Sequence, residues 1–337
     1  MTNKSKKILP RLTIIILNWN GKKDTLECLL SLQNLNYANF NIIVADNGST
    51  DDSVRIIHAE YPGAFIFENG TNLGFAEGNN RAIRHALEHG ADAVVLLNND
   101  VVVDANLLQA FYDAYVFSDK PGILGATSYY YDNPNIIWAA GGFWDSNTLE
   151  LNHIGLGKSE LPSDAPYEVE YAVGCALFIH KDVISKIGLM DPLFFLNFEE
   201  NDWCQRARKA GFINYTVPGA KIWHKVSASF GGESPLWKYY MTRNLLLWSK
   251  RHLSTRAHRA VILKTIKTCF PPLTFLSWKA QLTLKQRYWA LNNWIKQTLH
   301  HFIDPFYIAQ FYGIYHYFID KFGECPSELT TKLRPTR

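Results

Sequence analysis

The chain contains few cysteines, and their spacing excludes two classes of protein. The five cysteines are odd in number, lie far apart and include no CxxC pair; they are Cys28, Cys175, Cys204, Cys269 and Cys325. Zinc sites need closely spaced ligands, and disulfide-stapled domains carry dense, paired cysteines. The sequence therefore predicts reduced thiols in a cytoplasmic protein, with neither a zinc site nor a disulfide framework.

The sequence also lacks a long hydrophobic run. Its N-terminus is basic, but the apolar run that follows extends only from Leu12 to Leu17. This run is too short for a signal peptide or for a membrane helix, which needs about 20 apolar residues. We interpret it as a β-strand and expect a protein that is soluble or attached to a membrane surface.

Two common nucleotide-binding motifs are missing as well. The sequence contains neither a GxxxxGK[ST] loop nor a GxGxxG turn. Their absence argues against a P-loop site and against a Rossmann dinucleotide site.

Charge is distributed unevenly along a chain that is otherwise rich in core-forming residues. The 337 residues are 47% apolar and give a net charge of +3. Residues 1–235 carry 18 Lys and Arg against 27 Asp and Glu, whereas residues 236–337 carry 16 against 4, a net charge of +12. The length and this asymmetry predict one α/β domain followed by a basic extension.

Four short apolar runs, each followed by a polar turn, predict a parallel sheet. The runs are Thr13–Leu17, Asn41–Ala45, Ala64–Glu68 and Ala93–Leu97, and the turns are Asn18–Gly21, Asp46–Asp52, Asn69–Gly74 and Asn98–Asp100. Helical patterns between the runs make them βαβ units. Ligands of such sheets lie beyond the carboxyl ends of the strands, although Asn, Asp and Gly are also ordinary turn residues.

The last of these turns and a later acidic segment carry the candidate chemistry. Asp100 is placed to hold a cation against a substrate phosphate, or it is only a polar strand end. Further on, Glu199, Glu200 and Asp202 put three carboxylates in four positions. Like charges held close raise one another's pKa, as suits a general base. The alternative is an acidic first turn of a helix over Asn201–Gly211, stabilised by the helix dipole.

Six segments follow one another along the chain: TIIILNWNG, VADNGSTDDS, NLGFAEGNN, LLNNDVVVD, FEENDWCQRARKAGF and YYMTRN. Together they resemble the motifs of family 2 glycosyltransferases, with the rhamnosyltransferase-like enzymes of bacterial surface-polysaccharide assembly as the nearest branch. The resemblance implies an α/β GT-A fold with a mostly parallel sheet flanked by helices. It also implies a nucleotide sugar that lies across the carboxyl ends of the strands.

The resemblance assigns roles to particular residues. The nucleotide-sugar set is Asn18, Asn20, Asp46, Asn72, Gly74, Asn79, Asn98, Asn99, Gly174 and Arg243. Within it, Asp46 is expected to face the nucleobase. Gly174, which we place inside a buried strand over Tyr171–His180, is expected to border the donor sugar. Arg243 is expected to neutralise a phosphate, or to be a helix surface charge.

The resemblance also implies a divalent cation, Mg²⁺ or Mn²⁺, held by Asp100 and His224. Asp100 is the last residue of a DxD-type motif whose first acid is replaced by Asn98. A single carboxylate binds a cation less tightly than two, so the diphosphate must help to complete the shell. A lone histidine such as His224 is more often a hydrogen-bonded structural residue than a ligand.

Glu200 stands where the family has its catalytic base, with Glu199 as the second choice. Asp202 and Arg206 are expected to organise the helix and the loop before it. The expected reaction is the inverting transfer of a (deoxy)hexose, with dTDP-rhamnose as the favoured donor and a polyprenyl-linked saccharide as the acceptor. The alternatives are a sugar nucleotidyltransferase and a non-catalytic nucleotide-sugar-binding protein.

The C-terminal region combines basic and aromatic residues without a recognisable motif. We divide the chain into a GT-A domain over residues 1–252 and a helical extension over residues 253–337. Basic and aromatic residues together are typical of helices in a lipid interface, and no RNA- or DNA-binding motif accompanies them. We therefore expect a peripheral protein on the inner face of the cell membrane; plain interdomain packing is the alternative.

Overall fold

A computed structural model gives the structure of most of the chain. The described residues are 9–226, 234–269, 283, 285 and 303–333. They form two compact units, Met1–Ser229 and Phe230–Arg337. The division falls earlier than the predicted boundary after residue 252, because the helix over Pro235–His252 packs with the helices that follow it.

The first unit begins with alternating strands and helices, in agreement with the sequence pattern. These elements are β1 (Leu12–Asn18), α1 (Lys22–Leu32), β2 (Phe40–Asp46), α2 (Ser53–Glu60), β3 (Phe65–Glu68), α3 (Gly74–Glu88) and β4 (Ala93–Asn98). The strands lie in the order β4-β1-β2-β3, and every pair among them is parallel. The four polar turns that follow these strands therefore lie at one edge of the sheet.

The rest of the first unit extends the same sheet and adds a small second one. Its elements are β5 (Val101–Val103), α4 (Leu107–Phe117), β6 (Pro121–Tyr130), β7 (Ile137–Ala139), β8 (Gly142–Asp145), β9 (Glu150–His153), β10 (Tyr167–Val169), β11 (Ala176–His180), α5 (Lys181–Ile187), α6 (Glu199–Lys209) and β12 (Ile213–His224). The strands of the large sheet lie in the order β10-β12-β6-β11-β4-β1-β2-β3, and β8 and β9 form the small second sheet. Strand β11 is antiparallel to both β4 and β6.

Strands β1 and β4 form the centre of the hydrophobic core. Ile14, Ile15 and Ile16 of β1 are inaccessible to solvent, as are Val94 and Val95 of β4. Both faces of these strands are covered, which explains their continuous apolar runs. Each such side chain contributes about 1.5–3 kcal/mol when fully buried. The polar turns at the strand ends are therefore mounted on the most rigid part of the unit.

The predicted bounds of three elements were wrong. Gly174 precedes β11, which begins at Ala176, because the residues before it leave the sheet in a turn. Helix α6 begins at Glu199 instead of Asn201, so both glutamates lie in its first turn. The sequence also predicts a short strand over Asn214–Val217, but these residues are part of the longer β12, which continues through a register shift against β6 to His224.

The second unit is helical in its described part. Its helices are α7 (Pro235–His252), α8 (Thr255–Cys269), α9 (Pro305–Phe318) and α10 (Ser327–Leu333). Helix α9 packs on α7 at Gly313, where an added Cβ would lie 2.9 Å from the backbone oxygen of Tyr239. Most of the basic and aromatic stretch between residues 270 and 302 lies outside the described residues.

Two expectations about the whole chain can be compared with the structure. All five cysteines are buried and free in the structure, while reduced thiols in the protein itself stay a prediction. Among the described residues, no helix is both long enough and apolar enough to cross a bilayer.

Candidate active site

The carboxyl ends of β1 and β2 are joined by the buried carboxylate of Asp46. Its Oδ1 accepts hydrogen bonds from Asn18 Nδ2 at 2.9 Å and from Ser49 Oγ at 2.6 Å, and its Oδ2 accepts one from Ser49 N at 2.9 Å. A carboxylate has about four acceptor positions. Asp46 therefore keeps capacity for a ligand donor. The exposed Asn20 accepts from Thr50 N at 2.8 Å on the rim of the same turn.

A second network, centred on Asn47, shapes the turn before α3. Asn47 Nδ2 donates to Asn72 Oδ1 at 2.9 Å and to Gly74 O at 3.1 Å. Its Oδ1 accepts from Asn69 Nδ2 at 3.2 Å and from Leu73 N at 3.1 Å. Asn47 is buried, and its four hydrogen-bond partners lie 22 to 27 residues further along the sequence. Sequence reasoning missed this residue, although its position directly after Asp46 was the available signal.

The start of α3 lies against the loop that leads to α6. Gly74 has φ +74°, and an added Cβ would collide with Phe195 O, so glycine is required there. Phe75 N donates to Phe195 O at 2.6 Å, and Asn79 Nδ2 donates back to Phe75 O at 2.9 Å. The predicted nucleotide turn and the loop before the acidic helix are therefore directly bonded.

This loop holds three non-glycine residues in the left-handed region. The φ angles of Phe195, Asn197 and Phe198 are 63°, 64° and 72°. Such backbone costs about 1–2 kcal/mol per residue and persists where the surroundings enforce it. Asn80 helps to do so, because it donates to Met190 O at 2.8 Å and accepts from Met190 N at 3.1 Å. The strain lies immediately before the two glutamates.

Asp100 and His224, the predicted cation ligands, lie side by side. Asp100 Oδ1 is 3.2 Å from His224 Nε2, and both side chains are buried. The pairing of β5 with β12 places them there, and Lys225 N donates to Asp100 O at 3.1 Å. Adjacent ligands of an octahedral Mg²⁺ at 2.0–2.1 Å are themselves about 3 Å apart. The residues present therefore fit two neighbouring positions around one cation.

The remaining ligands of such a cation would have to come from outside this pair. In the part of the chain that the structure describes, no group of three or more His, Cys, Asp or Glu side chains could hold a metal ion. The oxygen atoms of a bound diphosphate and of water molecules are the ligands that would fill the remaining positions around such a cation.

Lys225 anchors the end of β12 that carries His224. Its Nζ lies 2.6 Å from Asp24 Oδ1 and 2.6 Å from Glu27 Oε2, both on α1. Burial lowers the pKa of Lys225, but the hydrogen bonds with the two acids outweigh burial and raise it overall. Glu27 also accepts a hydrogen bond from Tyr131 at 2.5 Å. The strand end is thus fixed to the first helix.

Glu199 and Glu200 form a buried acid pair with unequal surroundings. Burial raises the pKa of Glu200, and burial together with the charge of Glu200 raises that of Glu199 well above its usual range. Glu199 is almost fully enclosed, whereas Glu200 is only partly so. The surroundings therefore favour the protonated form of Glu199 more strongly than that of Glu200, and Glu200 is the more accessible of the two.

The segment before β11 brings Glu200 and Asp100 to one place. Asn98 N, two residues before Asp100, donates to Cys175 O at 3.0 Å. A Cβ added to the neighbouring Gly174 would lie 3.4 Å from Glu200 Cγ. Burial, and to a smaller extent the charges of Asp100 and Glu200, raise the pKa of the Cys175 thiol to about 12. The segment Gly174–Cys175 therefore contacts both the strand end before Asp100 and the side chain of Glu200.

Several buried polar atoms in this place have no hydrogen-bond partner. Four of them, among the described residues, belong to predicted site residues: Asn98 Oδ1, Glu199 Oε2, Glu200 Oε2 and His224 Nδ1. An unpaired buried polar atom costs about 1–3 kcal/mol, so such atoms are normally satisfied. Their concentration here is what a ligand-binding site would produce. Asn99, next in the turn, donates to Thr25 Oγ1 at 3.2 Å.

Arg206 and Asp202 have the structural role expected of them. Arg206 Nε donates to Asp202 Oδ2 at 2.8 Å, and Arg206 Nη2 donates to Leu189 O at 2.8 Å. Trp203 Nε1 donates to Gly188 O at 2.8 Å on the same loop. These bonds fix α6 to the preceding segment.

Arg243, the last predicted nucleotide-sugar residue, belongs to the second unit. It is fully buried, its Nη1 donates to Gly323 O at 2.7 Å, and its guanidinium lies over the rings of Tyr239 and Tyr240. It is therefore not the surface charge that was the alternative. Its phosphate role stays a prediction, because these contacts give it a packing role within the helices.

Comparison with known proteins identifies the family. The model of glycosyl transferase family 2 matches residues 13–188. A dTDP-rhamnosyl transferase, RfbF of Shigella flexneri, is 24% identical over 255 residues, which cover 71% of this chain and 80% of the relative. An N-acetylglucosaminyl-diphospho-decaprenol L-rhamnosyltransferase of Mycobacterium tuberculosis (strain CDC 1551 / Oshkosh) is 27% identical over 215 residues, which cover 57% of this chain and 68% of the relative.

Solved structures give the fold. One similar structure is the mannosyltransferase PcManGT of Pyrobaculum calidifontis in complex with GDP-Man and Mn²⁺. It superposes with a TM-score of 0.56 at 12% identity, and the superposition covers 94% of this chain and 89% of the mannosyltransferase chain. GalNAc-T7 with UDP, GalNAc and Mn²⁺ gives the same TM-score at 14% identity, over 79% and 59% of the two chains. These likenesses confirm the predicted GT-A fold, and the family match covers more than half of the sequence. The chain belongs to glycosyl transferase family 2.

Proposed function

We propose that the chain transfers a deoxyhexose, with rhamnose as the favoured sugar, from a nucleoside diphosphate to a lipid-linked glycan. The observation that carries the proposal is that the segment Gly174–Cys175 contacts both Glu200 and the strand end before Asp100, which itself pairs with His224. Two relatives are rhamnosyltransferases by name, and one of these names includes a decaprenol-linked acceptor. These names support the choice of sugar and of acceptor class.

Glu200 is the base that the reaction requires. It takes the proton from an acceptor hydroxyl, and the oxygen forms a bond to the anomeric carbon. The bond from that carbon to the diphosphate breaks on the opposite face, and its electron pair leaves with the nucleoside diphosphate. A single displacement of this kind inverts the anomeric centre. The raised pKa and partial exposure of Glu200 suit it to this proton transfer.

Asp100 and His224 would hold a divalent cation beside the diphosphate. A bound Mg²⁺ or Mn²⁺ supplies stabilisation of the negative charge that develops on the leaving group. The two side chains offer one carboxylate oxygen and one imidazole nitrogen 3.2 Å apart. An imidazole ligand favours Mn²⁺ over Mg²⁺.

Two alternative functions are weaker. A sugar nucleotidyltransferase would need a glycine-rich basic loop after the first strand, but this chain has Asn18-Trp19-Asn20-Gly21 there. Membership of glycosyl transferase family 2 also decides against it. A non-catalytic binding protein would have no need for two adjacent carboxylates that each keep one buried oxygen, Glu199 Oε2 and Glu200 Oε2, without a hydrogen-bond partner.

Product release from candidate donors tests the proposal. With Mn²⁺ and a polyprenyl-diphosphate saccharide acceptor, we expect dTDP to be released from dTDP-rhamnose at least about ten times faster than nucleotide from UDP- or GDP-hexoses, since a tenfold preference needs only about 1.4 kcal/mol. Release of pyrophosphate from dTTP and a sugar phosphate would instead identify a nucleotidyltransferase. Binding of donors without any release would identify a non-catalytic protein.

Helix α9 presents an aromatic face that suits a membrane surface. Phe311, Tyr315 and Phe318 are 44%, 47% and 55% exposed and lie three and four residues apart, on one side of the helix. Helix α9 contains no Asp, Glu, Lys or Arg. Exposed aromatic residues in such a cluster are unusual for a surface that meets only water. Amphipathic aromatic rings partition favourably into the interfacial layer of a bilayer.

Charge decides between a bilayer and a second copy of the chain as the occupant of this face. Residues 236–337 carry a net charge of +12. Two copies joined through this region would bring like charges together, whereas an anionic lipid surface attracts basic segments. We therefore assign the face to anionic lipid, which also suits a lipid-linked acceptor.

Replacing the three aromatic residues should weaken membrane binding. The triple variant Phe311→Ser, Tyr315→Ser and Phe318→Ser is expected to lower partitioning onto phosphatidylglycerol vesicles at least about tenfold, because each ring contributes buried apolar area. Co-sedimentation with vesicles measures the effect, and phosphatidylcholine vesicles test the charge dependence.

Phe117→Ser is the matched control, since Phe117 is 85% exposed but lies in the acidic first unit. Equal vesicle binding by the triple variant and the wild type would contradict the assignment. So would a wild-type dimer in sedimentation velocity that the triple variant cannot form.

A further inference from the structure

A line of aromatic side chains runs from His224 through Trp138 and His153 to Tyr171. The ring centroids of His224 and Trp138 are 4.8 Å apart at 72°, and those of Trp138 and His153 are 5.2 Å apart at 48°. His153 Nδ1 lies 3.1 Å from the hydroxyl of Tyr171. The line therefore begins at the proposed cation pair and ends at Tyr171. Burial and then the charge of Glu200 raise the pKa of Tyr171, so the charge of the proposed base acts on that end of the line.

The backbone fixes this line in place. Trp138 lies in β7, and His153 ends β9, whose partner strand begins at Gly142. Gly142 N donates to Tyr171 O at 3.0 Å, and an added Cβ at Gly142 would collide with the Tyr171 ring. Only a glycine permits this approach. The small β8–β9 sheet is therefore held against the segment that carries Tyr171.

His153 offers a hydrogen-bond acceptor to a ligand. The hydroxyl of Tyr171 donates its one proton to Asn152 O at 3.1 Å, so the contact with His153 Nδ1 requires a proton on that nitrogen. His153 Nε2 then carries a lone pair. Burial lowers the pKa of His153, which keeps the ring neutral near pH 7. No described residue bonds to Nε2, and this atom is not enclosed.

Trp138 offers the complementary features. Its ring is partly buried against the core, and the indole N–H is neither enclosed nor bonded to any described residue. The pair therefore presents an aromatic face, one donor and one acceptor, without a formal charge. A sugar ring has an apolar face and hydroxyls that both donate and accept, and aromatic surfaces with a few polar groups are typical of sites for small ligands.

We propose that Trp138 and His153 form a binding subsite for a sugar ring, an inference that rests on the proposed transfer reaction. The subsite lies between the pair that would face the diphosphate and the carboxylate that takes the acceptor proton. A ring at that position belongs either to the donor or to the terminal sugar of the acceptor. A nucleobase is expected elsewhere, at the carboxyl end of β2 beside Asp46.

Two substitutions test the subsite. Trp138→Leu keeps apolar volume but removes the aromatic face and the N–H. His153→Asn keeps a donor for Tyr171 but removes the Nε2 acceptor. Phe143→Leu is the control, because Phe143 is exposed on the neighbouring β8 but lies outside the aromatic line. Calorimetry in Mn²⁺ compares the binding of dTDP-rhamnose with that of dTDP, and steady-state kinetics give the acceptor KM.

The two sources of the ring give different results. A donor ring predicts that both substitutions weaken dTDP-rhamnose about tenfold and leave dTDP unchanged. An acceptor ring predicts unchanged dTDP-rhamnose binding and an acceptor KM raised about tenfold. Wild-type affinity and KM in both variants would overturn the subsite, as would equal weakening of dTDP and dTDP-rhamnose. A wild-type protein that binds no nucleotide sugar would instead contradict the proposed function itself, and would be seen before any variant is made.

Discussion

Replacing Glu200 by Gln should lower kcat by about 10²–10⁴-fold and leave the affinity for the donor largely intact. General-base assistance is worth about this much, and Gln retains the size of the side chain without its basic oxygen. Single-turnover kinetics with saturating donor and acceptor measure the chemical step. Calorimetry with donor alone measures binding. Loss of donor binding in parallel with kcat would mean that Glu200 holds the substrate and does not act as the base.

Glu199→Gln is the matched comparison, because the two glutamates are adjacent in the first turn of α6. Burial and the charge of Glu200 raise the pKa of Glu199 and so favour its protonated form, which an uncharged amide resembles. We expect a much smaller fall in kcat than for Glu200→Gln. A larger fall in kcat for Glu199→Gln than for Glu200→Gln would mean that Glu199, and not Glu200, is the base.

The pH profile gives an independent test of the same base. A general base works only when deprotonated, so activity is lost as the pH falls through its pKa. Because burial raises the pKa of Glu200, the acid limb of kcat/KM should lie above the ordinary glutamate value of about 4.3. The residual activity of Glu200→Gln should lack this limb.

Removing the carboxylate of Asp100 should have the second large effect. Asp100→Asn is expected to lower kcat/KM by about 10²–10³-fold, as is typical when one group that stabilises charge in a transition state is lost. It should also raise the Mn²⁺ concentration needed for half-maximal activity. His224→Gln should shift the Mn²⁺ requirement in the same direction, because its Nε2 lies beside Asp100 Oδ1.

The Mn²⁺ titration separates ligation from structure. If Asp100 and His224 form only an ion pair that supports the fold, both variants will unfold at a lower temperature with no change in Mn²⁺ dependence. Asp132→Asn, an exposed acid in the first unit, controls for the loss of one negative charge. It should match the wild type in activity and in Mn²⁺ requirement.

The first half of the sheet could be predicted from the sequence because its signals are local. Each of β1 to β4 is an apolar run followed at once by Asn, Asp or Gly, and a helix pattern separates it from the next. Parallel pairing follows from that alternation. The second half could not be predicted in the same way. The antiparallel pairing of β11 with β4 and β6, and the extension of β12, depend on partners distant in sequence.

The candidate site was predicted in part for a similar reason. Asp100 and Glu200 are polar residues at recognisable element ends, and their motifs resemble those of the family. Trp138 and His153 have no such signal, because their contacts exist only once the chain has folded. Arg243 illustrates the opposite case: its motif matched, but its environment within the helices could not be read from the sequence.

Cys175 gives the protein an internal reporter. Its thiol is inaccessible and, with a pKa of about 12, almost wholly uncharged near neutral pH. A thiol-specific alkylating reagent needs the thiolate and a path to the sulfur. Alkylation of Cys175 therefore requires a conformational change that exposes its sulfur. Its rate, followed by mass spectrometry, measures how often the segment before β11 leaves its packed position, and a fall in that rate with added nucleotide sugar would report binding beside it.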